Sequence, residues 1–204
     1  MKKLQNGRSM VEMLGVLAII GVLSVGAIAG YQKAMMKYRL NKQAQQLSQL
    51  LTVMHRHKDS LLTIQGYEGL FPYLHKLNEI PKEMIKDESG ILYDVFQNRM
   101  GFETRDADGI ISKGLMIELK NNKAFEICQN LINIAKGHSS YLYEFKIRAG
   151  GKSIMFSGDK YCNRTTTIPY YRCANTITND DIYEVCQYCE QAEECFSSIH
   201  IRYN

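Results

Sequence analysis

The chain of 204 residues contains no tryptophan and only three prolines. Neither proline nor glycine occurs from Tyr31 to Gln65, so nothing in that stretch interrupts a helix. No cysteine precedes Cys128. Low-complexity tracts, internal repeats and Pro-rich linkers are missing, which leaves no sign of a repeat array or flexible tether. Gly-x-Ser-x-Gly, Walker and dinucleotide fingerprints are missing too, so no phosphate loop or nucleophile elbow is legible. The net charge is only +4, and the basic residues are spread out without interleaved aromatics. Such a surface does not demand a nucleic-acid partner.

What is present is concentrated at the start. A basic leader, MKKLQNG, ends in Gly7; RSMVE follows, and then MLGVLAIIGVLSVGAIAG runs into Tyr31. One carboxylate, Glu12, sits in this apolar stretch, five residues after Gly7. The run is long enough to cross a bilayer, for which roughly 17–25 apolar residues suffice. An acid within such a segment is costly and usually functional.

These residues resemble the N-terminus of type IV prepilins and the related pseudopilins. Ala18-Ile19-Ile20-Gly21 and Tyr31-Gln32 also stand where that family has the same residues. The resemblance implies peptidase cleavage between Gly7 and Arg8, N-methylation of the new terminus, and a Glu12 that guides filament assembly. It covers about the first third of the chain. Arg8 departs from the family's usual phenylalanine or methionine, and Ala29 replaces its frequent proline. Implied partners are identical or related pilin subunits, the prepilin peptidase, the inner-membrane assembly machinery and the membrane itself. Nucleic acid would join them only for a competence-type pilin. Minor pilins and type II secretion pseudopilins share the same N-terminus. The implied location is the cytoplasmic membrane, by a single pass, and then a cell-surface filament.

Two other readings use the same residues. Ala27-Ile28-Ala29 before Gly30 has the small-residue pattern of a signal-peptide cleavage site, which would release a secreted disulfide-rich binding protein. Against it, an acid in the apolar core of a signal peptide is unfavourable, and helical periodicity continues past Gly30. A plain membrane anchor is the other. Lys2, Lys3 and Arg8 precede the span while Lys33, Lys37, Arg39 and Lys42 follow it, so charge does not orient it.

From Tyr31 onward the apolar residues Ala34, Met35, Tyr38, Leu47, Leu50, Leu51 and Met54 recur at helical spacing. The spacing predicts one helix continuing to about Leu62, a rod of about 80 Å at 1.5 Å per residue. Its distal half must cover its apolar stripe with a globular head. The expected organisation is a leader at 1–7, an assembly half of the helix at 8–30, its amphipathic continuation at 31–64, and a head at 65–204. One domain of ordinary size fits that remainder. Thirteen tyrosines without tryptophan suit a β-containing surface domain.

In the head, short helices are expected near Pro72–Leu77 and after Pro81. Ile91–Phe96 and Leu115–Leu119 read as strands. A helix is expected from Lys123 to Ala135, capped by Asn121 or Asn122 and stopped by Gly137. Tyr141–Arg148 and Ser153–Ser157 read as a hairpin turning at Gly150-Gly151. Residues 158–178 read as a loop, Thr178 and Asn179 as the cap of a short helix, and Phe196–Tyr203 as a last strand. The fold class is α+β: a long N-terminal helix packed on an antiparallel sheet with a disulfide-closed C-terminal region.

The six cysteines, Cys128, Cys162, Cys173, Cys186, Cys189 and Cys195, are an even set behind an export signal and read as disulfides. The six cysteines allow about 15 pairings; Cys162 with Cys173 is the best single pair because they flank one loop. The C-x-x-C of Cys186 and Cys189 could instead join Cys162 and Cys173 around zinc, at a spacing unlike a ribbon or finger. The cysteine-bearing end resembles that of type IVb pilins. Asp106-Ala107-Asp108-Gly109 looks like part of a calcium loop, but Thr104 and Leu115 stand where its carboxylates belong. His55 and His57 are two apart and point to different helix faces, and His75, His138 and His200 lack partners at ligand spacing. No catalytic residue, metal or cofactor is expected; the role is structural, not enzymatic.

Overall fold

The computed structural model describes residues 10–107, 110–120, 123–162 and 171–202. The chain divides into two compact units, Met1–Arg39 and Leu40–Asn204. Helix α1 runs Met10–Arg56. From Met13 to Tyr31 it carries no charged side chain; its mean hydropathy is 2.4 over its most apolar window, and it exposes Leu14, Leu17, Ile20, Leu23 and Ile28. One helix is thus long and apolar enough to span a membrane.

In the second unit α1 turns amphipathic. Leu47, Leu50, Leu51, Val53 and Met54 are buried, at the three- and four-residue steps that share one helix face. The helix does not run unbroken to Leu62. His57 leaves helical geometry at φ −94° and ψ 15°, and α2 follows at Lys58–Leu62. The imidazole of His57 lies 3.3 Å from the Glu79 carboxylate, a tertiary partner that the helical repeat does not reveal. Helix α3 spans Leu70–Lys76, and a short 3-10 turn follows Pro81 at Lys82–Met84.

Among the described residues the sheet has seven strands: β1 Leu92–Tyr93, β2 Arg99–Ala107, β3 Ile110–Leu119, β4 Leu142–Ala149, β5 Lys152–Ser157, β6 Tyr171–Cys173 and β7 Cys195–Arg202. Their order is β1-β2-β3-β7-β4-β5-β6. The C-terminal strand therefore lies in the interior, antiparallel to both β3 and β4. The expected antiparallel sheet is mixed, because β6 pairs in parallel with β5. Helices α4 Ala124–Gly137 and α5 Asn179–Gln191 bury Ile127, Leu131, Ile132, Ile182 and Val185 in the same core as the inward residues Leu115, Ile117, Phe145, Ile147 and Ile199.

Several local expectations change. The strand expected at Ile91–Phe96 shrinks to two residues, because the Asp94 carboxylate accepts from the N–H groups of Phe96 and Asn98 and closes a turn. The strand expected at Leu115–Leu119 starts at Ile110, paired along its length with β2. Helix α4 has Lys123 at its N-cap, with Asn121 and Asn122 outside the described residues, and runs through Gly137 rather than stopping before it. The stretch 158–178 holds β6 and 3-10 turns at Asp159–Tyr161 and Ala174–Thr176; residues 163–170 lie outside the description. The calcium-like residues Asp106 and Ala107 end β2, whereas Thr104 donates to the Gly66 carbonyl and Leu115 is core; Asp108 and Gly109 are outside the described residues. Gly150 and Gly151 turn the β4–β5 hairpin with φ of 56° and 78°, as a two-residue turn of this hand requires. Thr178 caps α5 in a reciprocal capping box with Asp181.

Candidate functional site

The sequence points to the start of α1 and to the cysteines. Gly7 and Arg8 lie outside the described residues. Glu12 stands in the first turn of α1, where a carboxylate complements the partial positive charge of a helix N-terminus. It is exposed, as are the apolar residues around it, Met10, Val11, Met13 and Val16. A helix apolar all round needs an apolar environment, either lipid or other helices. A carboxylate held there needs a cation beside it.

All six cysteines are paired: Cys128 with Cys186, Cys162 with Cys173, and Cys189 with Cys195. The first bridge crosses the sheet's helical cover from α4 to α5, with both residues fully buried. The last ties the end of α5 to the start of β7. The two members of the C-x-x-C thus bond to different partners, and the four cysteines of the zinc reading are divided among three bridges.

Other groups hold the distal part of α1 on the head, and the sequence reading passed over them. Gln43 donates from its amide to Asp94 Oδ2 at 2.6 Å and accepts from Asn130 Nδ2 at 2.8 Å. The same Asn130 amide donates to the Leu40 carbonyl at 2.9 Å. Asp94 takes a fourth bond from Asn98 Nδ2 at 3.0 Å. Burial pushes the Asp94 carboxyl above its ordinary range, although those donors oppose the shift. His138, at the end of α4, lies 2.9 Å from the Ser48 hydroxyl and 2.6 Å from that of Tyr141, which stacks on His55 at 4.3 Å. Burial lowers the pKa of His138.

Lys113, Glu144 and His200 are buried ionisable groups on the sheet itself. Lys113 points inward with Leu115 and Ile117, and its ammonium donates to the carbonyls of Ile64 and Gly66 beyond α2. On the opposite face, His200 is 1% exposed and contacts Glu103 through Nε2, with Ser112 Oγ 3.4 Å from Nδ1. Burial alone would raise the pKa of Glu103, but the His200 bond and charge, with Arg105, hold it below the ordinary carboxylate value. Arg105 in turn pairs with the buried Glu144. Lys113 was legible, because it shares the parity of Leu115, Ile117 and Leu119. Glu103 with His200 was not, since 97 residues separate them.

No family model matches the chain, and no curated protein or solved structure matches it. Function therefore rests on the chain's own chemistry. An exposed apolar helix can insert or pack laterally, and Glu12 can take a cationic partner. The buried ionisable groups are bonded to the frame.

Proposed function

We propose that this chain is a prepilin-like filament subunit, processed after Gly7 and assembled through the N-terminal part of its helix. One observation carries the reading: the apolar stretch that exposes Met10 to Ile28 contains the lone carboxylate Glu12 and belongs to the helix whose distal part is built into a disulfide-bonded head. Cleavage would place a positive amino group at Arg8. In an apolar surrounding, the Glu12 carboxylate of one subunit would take the amino terminus of its neighbour as partner and so set the stagger of the helices. Residues 1–7 act as leader, 8–30 as membrane and assembly segment, 31–64 as the amphipathic root, and 65–204 as the displayed head.

In this reading the role is structural rather than enzymatic; Asp94, Lys113, His200 and Glu103 take part in bonds within the head. Its partners are related subunits, a peptidase that reads Gly7, and the inner-membrane assembly machinery; a DNA partner belongs only to the competence-type variant. Abundance and genomic neighbours separate a major pilin from a minor pilin or a secretion pseudopilin. The N-terminal mass of the mature protein tests the reading. A methylated terminus at Arg8 is expected, and Gly7→Val should leave the chain uncut in the membrane, because a side chain there obstructs the peptidase. A mature terminus at Gly30 would overturn the proposal in favour of a secreted binding protein.

A further inference from the structure

Strand β2 pairs with β3 from Arg99 to Ala107, but with β1 only at Arg99 and Met100. The remainder of its outer edge carries no ladder. Which groups face that edge follows from the turn before it. Asp94 N–H donates to the Asn98 carbonyl, so Asn98 and Met100 direct their backbone groups toward β1. Because an antiparallel ladder alternates every second residue, Phe102, Thr104 and Asp106 direct theirs to the same side. Among the described residues, no backbone hydrogen bond reaches them.

Beside this edge lies an open cleft of about 690 Å³. Its walls include Tyr67, Phe71 and Ile91, and Met116 shows apolar surface in its floor. Tyr67 is 57% and Met116 42% exposed. Three carboxylates line it, Glu68, Glu103 and Glu118, against one guanidinium, Arg99. Glu103 is engaged by His200 and Glu118 by Lys120, whereas Glu68 makes no ion pair among the described residues. Unpaired strand edges recruit backbone, and pockets beside them select alternate side chains.

We propose that the β2 edge from Phe102 to Asp106 takes an extended peptide strand from a partner, with apolar side chains toward Tyr67 and Met116 and basic ones toward Glu68. The backbone of the incoming strand completes the ladder that β1 leaves off, and the Glu68 carboxylate favours a basic side chain on it. This inference does not depend on the filament reading, since it concerns the head alone.

The probe is a hexapeptide of alternating lysine and valine, titrated into the full-length protein in detergent micelles and followed by backbone amide NMR. Shifts centred on Phe102, Thr104 and Asp106 are expected. A peptide N-methylated at alternate residues, which lacks the needed donors, should bind about tenfold more weakly or worse, as the loss of several backbone hydrogen bonds implies. The alternating glutamate and valine peptide should also bind more weakly, and Glu68→Gln should reduce that difference. In the protein, Thr104→Pro removes an edge N–H that β3 does not use, whereas Thr104→Val keeps it and controls for the lost hydroxyl bond to Gly66. Equal affinity for the methylated and unmethylated peptides would overturn the proposal without requiring any variant to fold. Shifts confined to other surfaces, or none at millimolar peptide, would overturn it too.

Discussion

Gly114 of β3 lies directly opposite His200 of β7, and a Cβ built on this glycine would stand 2.9 Å from the imidazole Cγ while also meeting the Ile199 carbonyl. The glycine makes room for a buried histidine in the middle of a sheet, where the ring then reaches across β3 to Glu103 of β2. The backbone carbonyl cannot yield as a flexible side chain would. Gly114→Ala should therefore cost about 1–3 kcal/mol, the range for overpacking a filled site. Gly101→Ala, where the added atom would meet nothing within 4 Å, is the control. Denaturant unfolding of the two variants makes the comparison; equal stabilities would remove the steric role of Gly114.

Acid should weaken the head in two windows. His138 has a pKa lowered by burial, so the unfolded chain binds protons more readily below the ordinary histidine value of 6.5. The stability this group contributes is present above that value and falls as pH drops toward its folded pKa. Burial also lowers the pKa of His55, in the same direction. Glu103 acts lower down. Its depressed pKa gives stability above the ordinary value of 4.5, lost as pH falls through the folded value. Melting temperatures from pH 8 to pH 3 should show both declines. His138→Gln should flatten the upper one and Glu103→Gln the lower one; an unchanged profile in either variant would refute its assignment.

The three bridges should differ in weight. Cys128 and Cys186 are 58 residues apart and Cys189 and Cys195 only six. Loop-closure entropy then assigns about 4 kcal/mol to the first and about 2 kcal/mol to the last. Paired alanine substitutions measured by chemical unfolding should preserve this order. Thiol titration of the unfolded, unreduced protein should find no free cysteine.

Glu12→Leu removes a charge from an apolar helix, so insertion should be as good or better. Cleavage after Gly7 should persist, because the acid lies beyond the cut. Surface filaments should nevertheless be lost or fall sharply, since the neighbouring terminus loses its partner. The measurement is filament yield against processed membrane subunit. A plain anchor would be indifferent to the change, and normal yield would remove Glu12 from its assembly role.

Gln43 illustrates a limit of sequence periodicity. It stands four residues before Leu47, on the buried face of α1, and only the fold brings Asp94 and Asn130 to either side of its amide. The break at His57 is similar: the helical repeat continues through it, while Glu79 lies across the chain. The hairpin at Gly150-Gly151 and the cap at Thr178 were legible because their causes are local.

By itself the sequence determined the apolar helix with its single acid, its amphipathic continuation, the α+β class and the cysteine set, all of which follow from composition or short-range spacing. Cys162 with Cys173 was legible as the pair flanking one loop; tertiary structure decided how the other four cysteines pair, where Lys113 and His200 find partners, and that the last strand enters between β3 and β4. Strand order and burial of charge depend on segments far apart in the chain, whose mutual contacts no local periodicity encodes.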